Sequence, residues 1–433
     1  MRFKSFTGVL KAGLSFQVRM ICFIASLLLA AFSGSLRAET PQPILNTSAP
    51  ESELPPYEFG YTNPLYGTIA GFLGVKDKGL RTLKSYKLTV ESFRKKFPVK
   101  ANIQDQPAPL VVILLGLGGR AEGSIAKLWA GWFADAGYHV LTFDSTFTTS
   151  YIDFAGNGVS GNPIAEAEGI KNIIAAFLEQ TEVHGRVTKI GIAGMSYGGL
   201  QTMILGKMAN ENQLPFKIDA LQAYSVPINI TKTMGVLDRW YSEDRWKYTL
   251  ADLKYAFSGH EPVAPDHEVP FNDSLMRAAI AADFRLGLAD LIIKNNDVYK
   301  LNVLPNGNSQ DDEYVKRDFA ESVSFTRFFS EISYPYWQRR LSLQNFAEYF
   351  GAVELNALME KQPRCSQVIL AEDDPFNTPE DMAAFKARWS GKQALILQHG
   401  GHLGFVGDRW TKAKLLTLFK TATQPNSTVE VSK

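Results

Sequence analysis

The sequence predicts an α/β protein in which a mostly parallel sheet is flanked by helices and interrupted by a large, mainly helical insertion. Short apolar segments at residues 110–115, 189–193 and 366–370 are typical of strands buried on both faces. Segments of helical periodicity alternate with them, and such alternation indicates a parallel sheet. The length of 433 residues allows one large domain with an elaboration, or two domains.

The predicted elements follow one another in chain order. In the first half they are strand 86–90, strand 110–115, a helix from 125 that ends near Gly137, strand 138–143, helix 163–178, strand 189–193, a further helix and strand 218–224. In the second half they are strand 366–370, helix 379–389, strand 394–397 and helix 409–419.

Between the two halves, residues 227–363 lack this alternation and are rich in aromatic residues. They are interpreted as a helical cap over one end of the sheet. The aromatic residues suit both the cap's own core and an apolar wall of a substrate pocket. The predicted α/β core is therefore split into residues 58–226 and 364–422, and a polar tail follows at 423–433.

The N-terminus has the pattern of an export signal. Residues 1–19 are basic and contain no acidic residue, and an apolar run at 20–32 and several small residues follow. This is typical of a secretory signal peptide, and the run is shorter than the roughly 20 residues that a membrane span needs. We expect a signal peptide at 1–38 cleaved after Ala38, with cleavage after Ser35 or an uncleaved anchor as alternatives, and a Pro-rich linker at 39–57. The expected location is periplasmic or secreted.

The charge balance and the cysteine content bear on the partners, the fold type and the metal sites that the protein can have. Lys and Arg number 45 and Asp and Glu 44, a net charge of +1, so the charge balance favours neither nucleic acid nor an anionic membrane surface as a partner. The two cysteines, Cys22 and Cys365, exclude a disulfide-stapled fold and a Cys-rich metal site. No metal, cofactor or nucleic-acid partner is expected, and no stable membrane span after signal cleavage.

The segment Gly194-Met195-Ser196-Tyr197-Gly198 follows a predicted strand and precedes a predicted helix. A nucleophile elbow is a strand-to-helix turn so tight that small residues are needed two positions before and two after the serine. The spacing alone also arises by chance, so the flanking strand and helix carry the argument. The sequence predicts Ser196 as a nucleophile.

A serine hydroxyl needs a base to remove its proton, and histidine is the usual base. Of the 6 histidines, His399 and His402 lie in a loop just after the strand at 394–397. His402 is favoured because two glycines before it let the loop curl back towards the elbow, whereas His399 suits a packing role at the strand end. The pair lacks a third ligand at a suitable spacing, so a metal site is not expected.

An acid must orient the imidazole and stabilise its cationic form. Asp373 and Asp374 follow the strand at 366–370, again at its carboxyl end. Asp374, directly before Pro375, is the preferred triad acid and Asp373 the alternative, although both also suit a turn before the next helix. The predicted triad is thus Ser196, Asp374 and His402.

Two backbone N–H groups are expected to form an oxyanion hole, which stabilises the charge that develops during acyl transfer. One belongs to Tyr197, the residue after the nucleophile. The other comes from the glycine-rich loop Gly116-Leu117-Gly118-Gly119, where Leu117 is the preferred donor.

In these settings the triad resembles that of the α/β-hydrolases, whose order along the chain is also serine, acid, histidine. The segments Asp373-Asp374-Pro375-Phe376 and Gly400-Gly401-His402-Leu403-Gly404-Phe405 resemble the YheT-like esterase branch. The resemblance covers residues 108–225 and 363–420 and implies carboxylic ester hydrolysis. One departure concerns Leu115, which stands where such hydrolases usually carry a histidine before the oxyanion loop.

Two other interpretations compete with this one. Gly116-Leu117-Gly118-Gly119-Arg120-Ala121, with Asp144 after the next strand, approaches a dinucleotide-binding fingerprint. It leaves Ser196, Asp374 and His402 unexplained. The other alternative is a hydrolase fold kept as a non-catalytic binding module, with which Leu115 would agree.

The preferred hypothesis is an exported serine hydrolase that cleaves a small-molecule or lipid ester through an acyl-enzyme. Peptides and thioesters are possible substrates of the same machinery. The sequence does not indicate the acyl length or the oligomeric state.

Overall fold

A computed structural model describes residues 54–73, 80–257, 272–305, 310–343 and 345–419. All of them belong to one compact unit, Asn46–Lys433. The predicted signal peptide, the linker up to residue 53 and the polar tail lie outside the described residues. Within the described ranges, every helix is too short or too polar to cross a membrane.

Eight strands form one sheet. They are β1 Lys84–Leu88, β2 Phe97–Asn102, β3 Ala108–Leu114, β4 His139–Thr142, β5 Val187–Met195, β6 Ala220–Tyr224, β7 Ser366–Ala371 and β8 Ala394–Leu397. Their order in the sheet is β1-β2-β4-β3-β5-β6-β7-β8. The β1–β2 and β2–β4 pairs are antiparallel and all the others are parallel.

The central strands are apolar because helices cover both faces of the sheet. In β3, the four residues from Leu110 to Ile113 are fully buried, as a strand covered on both sides requires. Strand β1 lies at the edge of the sheet and exposes most of its residues, including Lys84 and Ser85.

Five helices belong to the first half of the core: α1 Pro64–Leu73, α2 Ser124–Asp135, α3 Thr149–Ala155, α4 Pro163–Gln180 and α5 Tyr197–Asn210. Local sequence explains where they begin. Asn162 caps α4 by accepting the N–H of Ala165, and Pro163 occupies the first helical turn, where its missing N–H costs nothing.

In the described part of the insertion, every regular element is helical. The elements are α6 Ile230–Glu243, a 3₁₀ turn Arg245–Lys247, α7 Leu250–Ala256, α8 Asp273–Tyr299, α9 Gln310–Ser322, α10 Phe325–Arg327, a π-turn Phe328–Ser333, α11 Tyr334–Leu341, α12 Phe346–Gly351 and α13 Leu355–Met359. Helices α14 Pro379–Trp389 and α15 Arg409–Leu415 complete the core.

The mostly parallel sheet, the flanking helices and the helical insertion between β6 and β7 make this the α/β-hydrolase fold, as predicted. Cap and core share one apolar cluster, in which Phe328 and Phe329 of the cap join Tyr197 and Leu200 of α5. Phe328 and Phe329 therefore do pack in a core, whereas Trp246 of the insertion is 72% exposed.

Three elements were not predicted. Strand β2 contains Pro98, which argues against a strand, yet it pairs with both β1 and β4. Helix α3 has only seven residues, and α1 precedes the first predicted strand. Strand β1 begins at Lys84, two residues before the predicted start, because its exposed residues give no apolar signal.

A buried carboxylate joins the first and the longest cap helices. Asp244 accepts hydrogen bonds from Arg277 Nε at 2.7 Å, Ser274 Oγ at 2.6 Å and Lys247 Nζ at 2.8 Å. Burial alone would raise the pKa of Asp244, but these donors outweigh it and lower the pKa to about 2.

Asp244→Asn should therefore destabilise the protein at neutral pH, by about 2 kcal/mol in the free energy of unfolding. The lowered pKa stabilises the fold above the ordinary carboxyl pKa, and the contribution disappears as the pH falls towards 2. Urea unfolding at a series of pH values measures the difference between the variant and the wild type. A difference that stayed constant down to pH 3 would contradict this origin.

Candidate active site

Ser196 occupies a strained turn between β5, which ends at Met195, and α5, which begins at Tyr197. Its φ of 53° and ψ of −121° are unusual for a residue with a side chain. Glycine is required on both sides. A Cβ on Gly194 would lie 2.3 Å from the carbonyl oxygen of Gly198, and one on Gly198 would lie 2.4 Å from that of Leu114.

Three side chains that the sequence analysis singled out lie in one hydrogen-bonded chain. His402 Nε2 lies 2.9 Å from Ser196 Oγ, and His402 Nδ1 lies 2.8 Å from Asp374 Oδ2. Asp374 and His402 are almost fully buried, and the ring of Phe376 packs against the imidazole with centroids 4.4 Å apart. This arrangement can move a proton from the serine hydroxyl to the imidazole and hold the imidazolium beside a carboxylate.

Asp373 and His399 form a second acid–histidine pair nearby, which is not part of the hydrogen-bonded series from Asp374 to Ser196. Asp373 accepts the N–H of Gly401 at 2.9 Å, and its other oxygen lies 3.5 Å from Nδ1 of the exposed His399. Asp373 thus holds the loop that carries His402. It does not cap α14, because Thr378 does so by accepting the N–H of Asp381.

Two hydroxyl groups hold the backbone of the His402 loop, and the sequence analysis found neither. Thr68 of α1 accepts the N–H of His402 at 2.9 Å, and Ser225 at the end of β6 accepts the N–H of Leu403 at 3.2 Å. No motif marks Thr68, which is 334 positions from His402. A signal at Ser225 was available, since it directly follows a buried strand at the same sheet edge as Ser196.

The two predicted oxyanion donors lie close to the serine. Tyr197 is the first residue of α5, so its N–H has no acceptor within the helix, and Leu117 lines the same cleft as Ser196. Gly116 approaches the serine closely, because a Cβ there would lie 3.1 Å from Ser196 Cβ. A bond from Gly119 N–H to Gly116 O, 2.9 Å long, closes the loop.

Leu115 is buried beneath this loop, in an apolar cluster with Met195 and Leu403. Asp144, just after β4, holds the end of the loop. It accepts hydrogen bonds from the N–H of Ala121, at 2.9 Å, and from the hydroxyl of Ser150. Each oxygen of Asp144, the acid of the dinucleotide alternative, therefore accepts a hydrogen bond from a group of its own chain.

A buried carboxyl group lies behind the elbow. Glu166 accepts hydrogen bonds from the hydroxyls of Tyr197 and Thr146, each 2.7 Å long, from Gln201 Nε2 at 3.0 Å and from the N–H of Gly161 at 2.7 Å. Burial raises the pKa of Glu166. Glu166 thus ties α5, the segment after β4 and the start of α4 together around Tyr197, the first of the predicted oxyanion donors.

The cleft beside Ser196 comprises about 300 Å³ of space, part of it open to solvent. Apart from Ser196 and His402, its lining is almost wholly apolar: Leu117, Tyr197, Pro227, Ile230, Thr233, Met234, Leu237, Phe284 and Phe376. The hydroxyl of Thr233 is already bonded to the carbonyl of Phe376, at 3.0 Å. Among the described residues, no group of three histidine, cysteine or acidic side chains could hold a metal ion.

No family model matches the chain, and no curated protein matches it. Many solved structures are similar, among them Est1E from Butyrivibrio proteoclasticus (12% identity, TM-score 0.39, 78% of this chain and 98% of that chain). Carboxyl esterase 2 from Tuber melanosporum has 13% identity and a TM-score of 0.42, and the match covers 80% of this chain and 87% of that chain. The acylaminoacyl peptidase of Pyrococcus horikoshii has 13% identity and a TM-score of 0.40, and the match covers 80% of this chain and 42% of that chain. Such weak likeness adds nothing to the sheet order and geometry above. None of these similarities bears on the YheT-like branch, which stays a prediction.

The elbow predicts a sharp difference between two glycine substitutions. Gly198→Ala should lower the free energy of unfolding by about 1–3 kcal/mol, because the new Cβ collides with the backbone of β3. Gly287→Ala, in α8, should leave it unchanged or raise it by about 0.4–1 kcal/mol, since a Cβ there meets nothing within 4 Å. Denaturant unfolding of both variants measures the difference, and equal stabilities would contradict the steric account.

Proposed function

We propose that the protein is a serine hydrolase that cleaves carboxylic esters. The observation that carries the proposal is the hydrogen-bonded chain from Asp374 through His402 to Ser196, at a strained strand-to-helix turn that opens on an apolar cleft. An uncharged ester suits that cleft, because its lining offers no charged side chain other than the triad itself.

In the first half of the reaction, His402 Nε2 takes the proton of Ser196 Oγ while that oxygen attacks the ester carbonyl. The N–H groups of Tyr197 and Leu117 receive the oxyanion, and Asp374 stabilises the imidazolium. The imidazolium then gives its proton to the departing alcohol, which leaves Ser196 acylated.

In the second half, His402 takes a proton from water as the water oxygen attacks the acyl-enzyme. The tetrahedral intermediate collapses, His402 returns the proton to Ser196 Oγ, and the carboxylic acid is released. Thioesters and amides pass through the same steps and are alternative substrates of the same residues.

Two observations favour this proposal over its rivals. A binding module has no need of a nucleophile in a strained backbone conformation, whose cost is about 1–3 kcal/mol. A dinucleotide site needs a free acid for the ribose hydroxyls, whereas Asp144 is engaged by Ala121 and Ser150.

We further propose that the protein is exported and that residues 1–38 are its signal peptide. The support is the basic N-terminus, the apolar run at 20–32 and the small residues after it.

A fluorophosphonate reaction tests the function directly. The purified wild type should gain the mass of one phosphonyl group in intact-mass measurement, because only an activated serine attacks such a reagent at an appreciable rate. Ser196→Ala should gain none. An unlabelled wild type with native circular dichroism, or an equally labelled variant, would contradict the proposal. The same mass also reports whether the predicted signal peptide has been removed.

Two adjacent acids allow a matched test of the triad. Asp374→Asn should lower kcat by about 10³–10⁴-fold, because the amide no longer stabilises the imidazolium or fixes its tautomer. Asp373→Asn should lower kcat less than about tenfold, since an amide oxygen still accepts the N–H of Gly401. Steady-state hydrolysis of p-nitrophenyl butyrate measures both, and losses of similar size would refute the assignment of Asp374.

A further inference from the structure

A second cavity lies next to the catalytic cleft and is lined by residues of the cap. It comprises about 280 Å³ of space, part of it open to solvent. Its lining consists of Ile230, Thr231, Met234, Thr326, Phe329, Phe346 and Phe350. Ile230 and Met234 also line the cleft at Ser196, so these two side chains are the partition between the two spaces. They lie four residues apart on one face of α6, where a single row of side chains separates the spaces.

A continuous series of aromatic contacts runs from the elbow to the second cavity. Tyr197 packs edge-on against Phe147 with ring centroids 5.8 Å apart, and Phe147 stacks on Phe329 at 6.2 Å. Phe329 then contacts Phe350 at 5.5 Å. The π-turn Phe328–Ser333 carries Phe329, and such turns commonly occur at functional sites.

Two polar groups of the second cavity are already hydrogen-bonded within the protein. Thr231 donates its hydroxyl to Asn229 at 2.7 Å, and the N–H of Thr326 is bonded to Asp238 at 2.8 Å. Among the described residues, no charged side chain lines the second cavity, and only the triad histidine, His402, can carry a charge in the lining of the first. A sugar, a phosphate or a charged peptide would therefore lose its hydration here without compensation, whereas a hydrocarbon chain would gain by leaving water.

We propose that the second cavity receives the distal part of the substrate's acyl chain, so that the substrates are esters of longer, apolar carboxylic acids. Met234 is the movable part of the partition, because its unbranched thioether changes rotamer more readily than a branched side chain does. The inference rests on the proposed function, since it assumes that Ser196 attacks the ester carbonyl.

The test compares p-nitrophenyl acetate, butyrate, octanoate and dodecanoate with the full-length protein. The ratio of kcat/KM for dodecanoate to that for acetate should exceed one in the wild type. In Thr326→Phe, which adds a ring at the exposed rim of the second cavity, this ratio should fall by about tenfold as methylene groups are shut out. Met234→Ala widens the partition and should change the ratio in the opposite direction.

The matched control is Ser330→Phe, an exposed position one turn after Thr326 that lines neither cavity and should keep the wild-type ratio. A second series, the acetates of ethanol, hexanol and decanol, separates the two sides of the ester. A flat acyl profile, an unchanged ratio in Thr326→Phe, or a preference that follows the alcohol instead would overturn the inference while fluorophosphonate labelling of Ser196 still supported the hydrolase. Loss of that labelling would overturn both.

Discussion

The backbone of Ser196 is the constraint on which the rest of the site depends. A residue with a Cβ does not keep a φ of 53° and a ψ of −121° unless its neighbours hold it there. The N–H of Ser196 is bonded to the carbonyl of Tyr224 in β6, at 2.8 Å, and its own carbonyl accepts the N–H of Leu200 at 3.0 Å. Sheet and helix therefore clamp the turn from both sides, and the hydroxyl is held outside the regular structure of either element.

The parallel strands then bring the remaining parts to the same edge. Strands β3, β5, β7 and β8 all end there, so the loops that follow them converge although they are far apart in the chain. The first supplies the loop with Leu117, the second Ser196, the third Asp374 and the fourth His402. The spacing of the strands, and not the loops alone, sets the distances between these residues. Side chains that are far apart in the chain therefore lie within hydrogen-bond distance of one another, as Ser196, His402 and Asp374 do.

The sequence was most informative where local chemistry is demanding. Glycine is required at 194 and 198 because a Cβ at either position would lie 2.4 Å or less from a backbone oxygen, so the elbow is visible in the sequence as a motif. Helix 379–389 and strand 394–397 have the predicted boundaries, because Pro379 starts the helix and the strand is a compact apolar run. The triad residues could be proposed because each follows an identifiable strand.

What the sequence did not reveal depends on long-range contacts. The hydroxyl of Thr68 serves the loop of His402 only because α1 packs against that loop, and a lone threonine carries no signal of this. Glu166 looks like an ordinary first-turn acid of α4, and the folded chain gives it four donors, one of them Tyr197. Strand β2 is recognisable only through its two partners.

Helix α6 of the cap both lines the apolar cleft and carries a buried ion pair. One face carries Ile230, Met234 and Leu237 towards the cleft, where only shape and apolar area matter. Asp238, four residues after Met234 and so beside it on the helix, anchors α6 by charge. It accepts from Arg285 Nη2 at 2.7 Å and from the N–H groups that begin α10.

Burial lowers the pKa of the Arg285 guanidinium, and Arg285 also stacks on Tyr241 with its guanidinium carbon 4.4 Å from the ring centre. A buried ion pair of this kind fixes orientation more than it adds stability, because desolvation offsets most of its attraction. The rotation of α6 about its own axis is thereby set by Asp238, which borders the residues that line the cleft. If the proposed function holds, a change in the size of Ile230 or Met234 alters the space beside Ser196, while the ion pair of Asp238 and Arg285 keeps the orientation of the helix.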